Sequence, residues 1–357
     1  MTTGQASLET WRKIADADIR MTRIPTPFQV GRVNCYLIED EPLTLIDTGP
    51  NSRKALDELE HQLGALGRRV EDLELVIITH QHLDHLGLVD VIAERSGAEV
   101  AALDLAIDYI ERFGGESAED NDDAATLMLR HGIAEDIVAA LRQVVASFQS
   151  WGGNPKVTRP LRDGETLELA NRSLEIQHRP GHSPSDTLFW DADRRLLIAG
   201  DHLIKHISSN PLISRPLDGS GGRTRALVDY LASMKQTREL DAEIVVAGHG
   251  EPISDHVALI DSRLAMHQRR AEKIYSLIAE QSRTGHEIAQ AIWGDVAVTQ
   301  AFLTLSEVIG HVDLLEDAGL VREAEDADVI RYEITSDAAV EEIGDLVPGG
   351  NPALARG

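Results

Sequence analysis

The stretch Thr79-His80-Gln81-His82-Leu83-Asp84-His85-Leu86-Gly87 decides the reading of this chain. Four metal-competent side chains fall within six residues, directly after residues 73–79 (LELVIIT), a short apolar, β-branched run that suits a buried strand. In extended backbone alternate side chains share a face, so His80 and His82 point the same way. Asp84 and His85 then stand at the entry of a helix expected over 86–96 and face a second point nearby. The arrangement suits two metal ions side by side. Imidazole and carboxylate are donors for Zn(II), and they also accept Fe or Mn. The plain alternative is a polar helix cap with Asp84 as capping residue, and so dense a cluster argues against it.

Working outward, the same pattern recurs. Strands are expected within 31–46 and over 98–103, 166–170, 174–178, 187–191, 195–199 and 243–247. Asp47, His182, Asp201 and His249 each sit just past one of these strand ends, three of them beside a glycine that lets backbone approach closely. Any one of them alone reads as a turn or cap residue. Together they populate the carboxyl edge of the strands, where such sheets place their sites. Strands and helices alternate, with hairpin-like pairs between, which predicts mixed sheets flanked by helices. Residues 104–150 break that rhythm and read as wholly helical, either packed on the core or lying over a site, with Tyr109 and Phe113 as the aromatic candidates for contact with a substrate. Their last helix carries Ile133, Ile137, Val138, Leu141, Val144, Val145 and Phe148 as one apolar stripe.

The segments DTG (47–49), HQHLDH (80–85), PGHSPSD (180–186), GDH (200–202) and GHG (248–250) resemble, in order and strand context, the five motifs of the metallo-β-lactamase superfamily. The resemblance spans about residues 20 to 260. It implies an αββα sandwich with a binuclear metal site between the sheets. On the matching positions His80, His82 and His182 would hold metal one, Asp84, His85 and His249 metal two, and Asp201 would bridge them. Asp47 would orient a ligand histidine. The β-lactamases themselves usually lack a ligand at the position of His85 and carry Cys or Ser where Asp201 stands. The pattern here is that of the branch with glyoxalase II, lactonases, thioesterases and some nucleases.

From about residue 263 three helices (263–282, 284–293, 299–318) precede a two-stranded hairpin, an order that resembles the winged-helix module appended to some of these hydrolases. The expected organisation is a catalytic domain over 1–262, with 104–150 as its helical insertion, a winged-helix-like domain over 263–336 and a tail over 337–357. The fold class is therefore α/β. A winged helix ordinarily suggests DNA. Residues 264–357, however, contain 7 basic and 17 acidic residues, and the third helix has no Lys or Arg. The expected role is packing, dimerisation as a homodimer, or a wall of the substrate channel.

Composition sets the remaining bounds. Apolar residues make up 42%, so the chain can bury a core, and 60 acidic against 34 basic residues give a net charge of −26. That field disfavours nucleic acid and anionic membranes as partners. No apolar run approaches the length of a membrane span. The first residues lack the basic and apolar segments of a signal peptide, and the single Cys35 forms no disulfide within the chain, so a cytoplasmic protein is expected. The family pattern implies a hydroxide shared by two metals attacking a carbonyl, with Asp84 as the catalytic group that orients it and takes its proton. The expected activity is hydrolysis of an ester-like bond in a small molecule, thioester first and lactone or ester next. The alternatives are a phosphodiesterase or ribonuclease using the same metals and a metal-dependent winged-helix sensor. A dedicated glyoxalase II fits less well, because the acidic C-terminal part offers no basic cradle for glutathione. His178, His202 and His206 read as structural hydrogen-bonders, with His206 near the pocket.

Overall fold

The computed structural model describes residues 6–326, 328–335 and 346–347. After helix α1 (Leu8–Asp16), one sheet runs in simple order through β1 (Ile19–Ile24), β2 (Val33–Ile38), β3 (Thr44–Ile46), β4 (Leu75–Ile77), β5 (Glu99–Leu103) and β6 (Arg159–Leu161). Its first three strands pair antiparallel, and from β3 onward the pairing is parallel. Helices α2 (Arg53–Ala65), α3 (Leu83–Leu86) and α4 (Val89–Ser96) occupy the connections around β4. A helical excursion follows β5, comprising α5 (Ile107–Glu111), α6 (Phe113–Arg130) and α7 (Glu135–Phe148). The second sheet contains β7 (Thr166–Glu168), β8 (Ser173–His178), β9 (Thr187–Asp191), β10 (Leu196–Ile198) and β11 (Ile244–Val246), with α8 (Ala226–Arg238) joining its last two strands in parallel.

Period-two alternation sorts the strand residues into layers. Ile46, Ile77, Ile198 and Val246 face inward and meet Phe189, Leu174 and Ile176 between the two sheets. Their neighbours Leu45 and Val76 face out onto α2 and α4 through Leu59, Leu63, Val89 and Ile92. On the other side Leu197 and Val245 pack on Leu227, Tyr230 and Met234 of α8. The result is four layers, helix, sheet, sheet and helix, as the family resemblance implied.

The C-terminal part is α9 (His256–Glu280), β12 (Arg283–Thr284), α10 (Gly285–Trp293), α11 (Val296–Thr299), α12 (Ala301–Asp317), β13 (Val321–Asp326) and β14 (Val329–Ile334), the strands forming a small sheet in the order β12-β14-β13. The boundary expected at 262/263 falls inside α9. Ile260 and Leu264 on the first half of α9 belong to the core over the second sheet, and Ile274, Tyr275 and Ile278 on its second half belong to the C-terminal core. A shared helix therefore joins the two parts. The expected tail, 337–357, lies outside the described residues apart from 346–347. Among the described residues no helix is long and apolar enough to cross a membrane.

The helical excursion is read differently in one respect. Ile133 and Val138 are buried, but Val144 and Val145 are 54% and 46% exposed, so the stripe on α7 is interrupted before Phe148, which is half-buried against Phe28 and Trp151. Two helical turns of apolar residues mark an amphipathic helix. They do not say how much of it meets a partner.

Candidate metal centre

Every candidate side chain arises at a strand end, and all seven converge. His80 and His82 follow β4, and His82 caps α3, which carries Asp84 and His85. His182 lies between β8 and β9, Asp201 after β10 and His249 after β11. His82 Nδ1 stands 3.0 Å from both His80 Nε2 and His182 Nε2. His249 Nε2 is 3.4 Å from Asp84 Oδ2 and 3.4 Å from Asp201 Oδ2. Asp201 sits between the two groups, with Oδ1 3.5 Å from His85 Nε2 and Oδ2 3.6 Å from His182 Nε2. The donors thus form one cluster of His80, His82 and His182 and another of Asp84, His85 and His249, with Asp201 facing both.

The tautomers are set from behind. The Nδ1–H of His85 donates to Asp47 Oδ2 at 2.8 Å, that of His182 to the Asn210 carbonyl at 2.9 Å, and that of His249 to the Arg32 carbonyl at 2.9 Å. Each of these bonds leaves Nε2 as a lone-pair donor aimed into the site. Asp47, at φ +59°, also accepts from the Thr79 amide and hydroxyl, so it ties the β3 end to the β4 end. Gln81, Ser183 and Ser185 hydrogen-bond one another and lock the His182 loop to the His80 loop. Asn34 of β2 grips the last loop by donating to the carbonyls of Ala247 and Gly250. A side chain at Gly248 would collide with Asp201 Oδ1 and His85 Cε1, so only glycine lets that loop lie against the site.

The electrostatics suit a cation. Burial pushes His80 well down and His82 to about 3, so both are neutral donors. Burial also opposes charge on His249, yet the carboxylates of Asp201 and Asp84 lift it to about 10. His85 is likewise held up, against burial, by Asp201 and Asp47. These carboxylates gather positive charge at the centre, and a divalent cation competes with the protons for the same atoms. His85 Nε2, His249 Nε2 and Asp201 Oδ1 are buried without a hydrogen-bond partner. Buried polar atoms are seldom left so, and a metal ion satisfies all three. The residues present therefore fit divalent metal.

With this geometry the comparisons follow directly. A family profile described as Metallo-beta-lactamase superfamily matches residues 29–249. The chain belongs to that superfamily. It is similar to the probable metallo-hydrolase YqjP of Bacillus subtilis, 32% identical over 299 residues, which covers 84% of this chain and 92% of the relative. It is also similar to the hydroxyacylglutathione hydrolase GloC of Haemophilus influenzae, 25% identical over 63% of this chain and 88% of the relative. Among solved structures, the metallo-beta-lactamase family protein TTHA1429 from Thermus thermophilus superposes with a TM-score of 0.75 at 28% identity. That match covers 89% of this chain and 98% of the other, so it reaches past residue 249 into the C-terminal helices.

The remaining histidines divide clearly. His178 Nε2 donates to the Pro184 carbonyl, and His202 Nε2 meets the Thr237 hydroxyl on the side of α8, away from the donor cluster. His206 lies against Gly250, at the rim of the His249 loop. A further buried group, His267, Glu307 and His311, joins α9 to α12. There the His311 Nδ1–H donates to the Glu307 carbonyl at 2.6 Å and leaves Nε2 to accept from His267 Nδ1–H at 3.2 Å, while Glu307 pairs with Arg270. That is a hydrogen-bonded joint between helices. Of the two aromatics expected at the pocket, Tyr109 lines it, whereas Phe113 is buried against Gly152. Sequence reasoning missed the orienting carbonyls of Arg32 and Asn210, which carry no side-chain signal. It also missed the Gln81–Ser183–Ser185 lock, which was visible as polar residues inside two recognised motifs.

Proposed function

We propose that this chain is a binuclear metallohydrolase that cleaves an ester-like bond in a small molecule, thioester first and lactone or ester next. The observation that carries the reading is the convergence of two three-donor clusters on the single carboxylate of Asp201. His80, His82 and His182 would hold one divalent ion and Asp84, His85 and His249 the other, with Asp201 within reach of both. Zn(II) fits this nitrogen-and-oxygen donor set, with Fe and Mn as substitutes. Two such ions supply an acidified water at neutral pH and a Lewis acid for the carbonyl oxygen. The residues do the rest. Asp47 and the Arg32 and Asn210 carbonyls keep the imidazoles in register, and Asp84 accepts the proton of the attacking water. The relative named hydroxyacylglutathione hydrolase supports the thioester, because its name describes an acylated glutathione as substrate.

The C-terminal elements are read as a winged-helix-like module serving as packing and channel wall. Its last helix, α12, is buried along most of its length against α6, α8, α9 and α10, which supports packing over a DNA-reading role. Glu323 and Glu325 of the hairpin repel phosphate. The test is metal analysis of the purified protein together with an esterase, thioesterase, lactonase and phosphodiesterase panel. Turnover of thioesters or esters with two metal equivalents supports the reading, and activity confined to phosphodiesters overturns it.

A further inference from the structure

A cavity of about 710 Å³ opens beside His82 and His182. One wall is α6, through Ala124 and Leu127. Another is the loop carrying Leu212 and Ile213. The far wall belongs to the C-terminal part, through Phe302 at the start of α12 and Ile330 on β14. Under this surface lies a separate hydrophobic cluster in which Ala125 and Met128 of α6 meet Ile213 and Ala301, Leu305 and Ile309 of α12, with Leu127 and Phe302 packed on it. The apolar lining is thus a built floor that three distant segments share.

The cations around the cavity are already engaged. Arg215 donates to Asp120, Glu119 and Glu116 through all three of its nitrogens. Arg223 grips Asp313 with two nitrogens, and Arg130 pairs with Glu325. Each guanidinium is already neutralised by a carboxylate, and Asp120, Asp123 and Glu323 also line the cavity, so a phosphate or carboxylate gains little. An apolar chain leaves all of these pairs in place.

We infer that this cavity is an acyl site, and that the preferred substrates carry an uncharged aliphatic acyl chain of medium length. The chain lies between α6 and α12, and Leu127 and Phe302 set its selectivity. This rests on the hydrolase reading above and narrows it to a substrate class. Burying a methylene stabilises the complex enough to raise kcat/KM about fourfold per CH2 while the cavity still has room.

The test uses the full-length metal-loaded protein and thioesters of a small neutral thiol with acetyl, butyryl, hexanoyl and octanoyl groups. Wild-type kcat/KM should climb with each added CH2. Phe302→Ala should lower the octanoyl-to-acetyl ratio at least fivefold. Ala124→Phe, which fills the cavity without opening the α12 contact, should move the optimum to shorter chains. Metal content identical to wild type shows that each variant is folded. Acetyl turnover with no rise along the series overturns the acyl site and leaves the hydrolase reading standing. If no thioester is turned over, the thioester part of the hydrolase reading fails, and binding of the inert hexanamide, octanamide and decanamide decides the site by itself. Affinity rising with chain length, and lost in Ala124→Phe, supports it, and flat affinity overturns it.

Discussion

Replacing Asp47 by Asn should cripple the His85 side of the metal centre while leaving the fold intact. Asp47 sits at φ +59°, a backbone region that Asn tolerates, and the two side chains have the same shape. The carboxylate accepts from three donors: His85 Nδ1 at 2.8 Å, the Thr79 amide at 2.9 Å and the Thr79 hydroxyl at 2.8 Å. The amide has one oxygen for them. If its oxygen faces Thr79, its NH2 faces His85 Nδ1, and the imidazole proton is driven to Nε2, the atom that must ligate. If the amide flips, its NH2 opposes the buried Thr79 N–H. Loss of a carboxylate behind a metal-bound histidine typically costs 10–100-fold in metal affinity, about 1.4–2.7 kcal/mol. Chelator competition with Zn(II) should therefore show one equivalent near wild-type affinity and one weakened by that factor. Activity should fall with it and recover in excess metal. Two equivalents of wild-type affinity and unchanged activity would show that His85 is no ligand, and the assignment of the second metal would collapse.

Asp201→Ala should weaken both metal equivalents, because its Oδ2 stands between His182 of one cluster and His249 of the other, whereas His249→Ala should weaken one; metal titration separates these, and equal effects would remove the bridge. Gly310→Ala should lower the melting temperature. A Cβ there would stand 2.6 Å from Leu227 Cβ, and overpacking of about 1–3 kcal/mol outweighs a helix-propensity gain of about 1 kcal/mol. A stabilised variant would mean that α12 and α8 do not touch so closely. His131 is buried beside Tyr332, and burial lowers it from the ordinary 6.5 to about 4. Between those values the unfolded chain binds a proton that the folded one refuses, so this residue's penalty appears as pH falls below 6.5 and is absent above it. His131→Phe should make stability up to about 1.4 kcal/mol per pH unit less steep in that window, as read by denaturant unfolding at each pH against wild type. Parallel curves would mean that the imidazole titrates normally.

Much of this site was legible because its side chains sit in short turns at strand ends, where sequence neighbours are also spatial neighbours. The apolar run 73–79 likewise read as a strand buried on both faces, and Val76 and Ile77 do enter opposite layers. What escaped depends on chain segments far apart. The carbonyls that fix His182 and His249 come from Asn210 and Arg32, and a main-chain oxygen leaves no trace in residue type. Phe113 looked available because an aromatic on an expected lid helix suggests a pocket, yet Gly152 leaves room for its ring in the core. The first strand, β1, went unread although Ile19, Met21 and Arg23 alternate with Arg20, Thr22 and Ile24, because charge on both faces masks the period of two.

The packing expected of the C-terminal part has a physical basis that also bears on function. The residues of α12 are divided among three clusters. Leu314 joins the core over the second sheet, Val308, Val312 and Leu315 the C-terminal core, and Ala301, Leu305 and Ile309 the floor beneath α6. A helix that completes three cores cannot be withdrawn without exposing apolar surface in each. Cutting the chain at 262 would also end α9 after its first two turns and strip Leu264 from the face of α8. The seven metal donors would keep their sequence positions, but the wall opposite α6 would be gone. The sequence therefore divides at residue 262 by texture, whereas the molecule divides nowhere along α9, and the pocket beside the metals belongs to both parts.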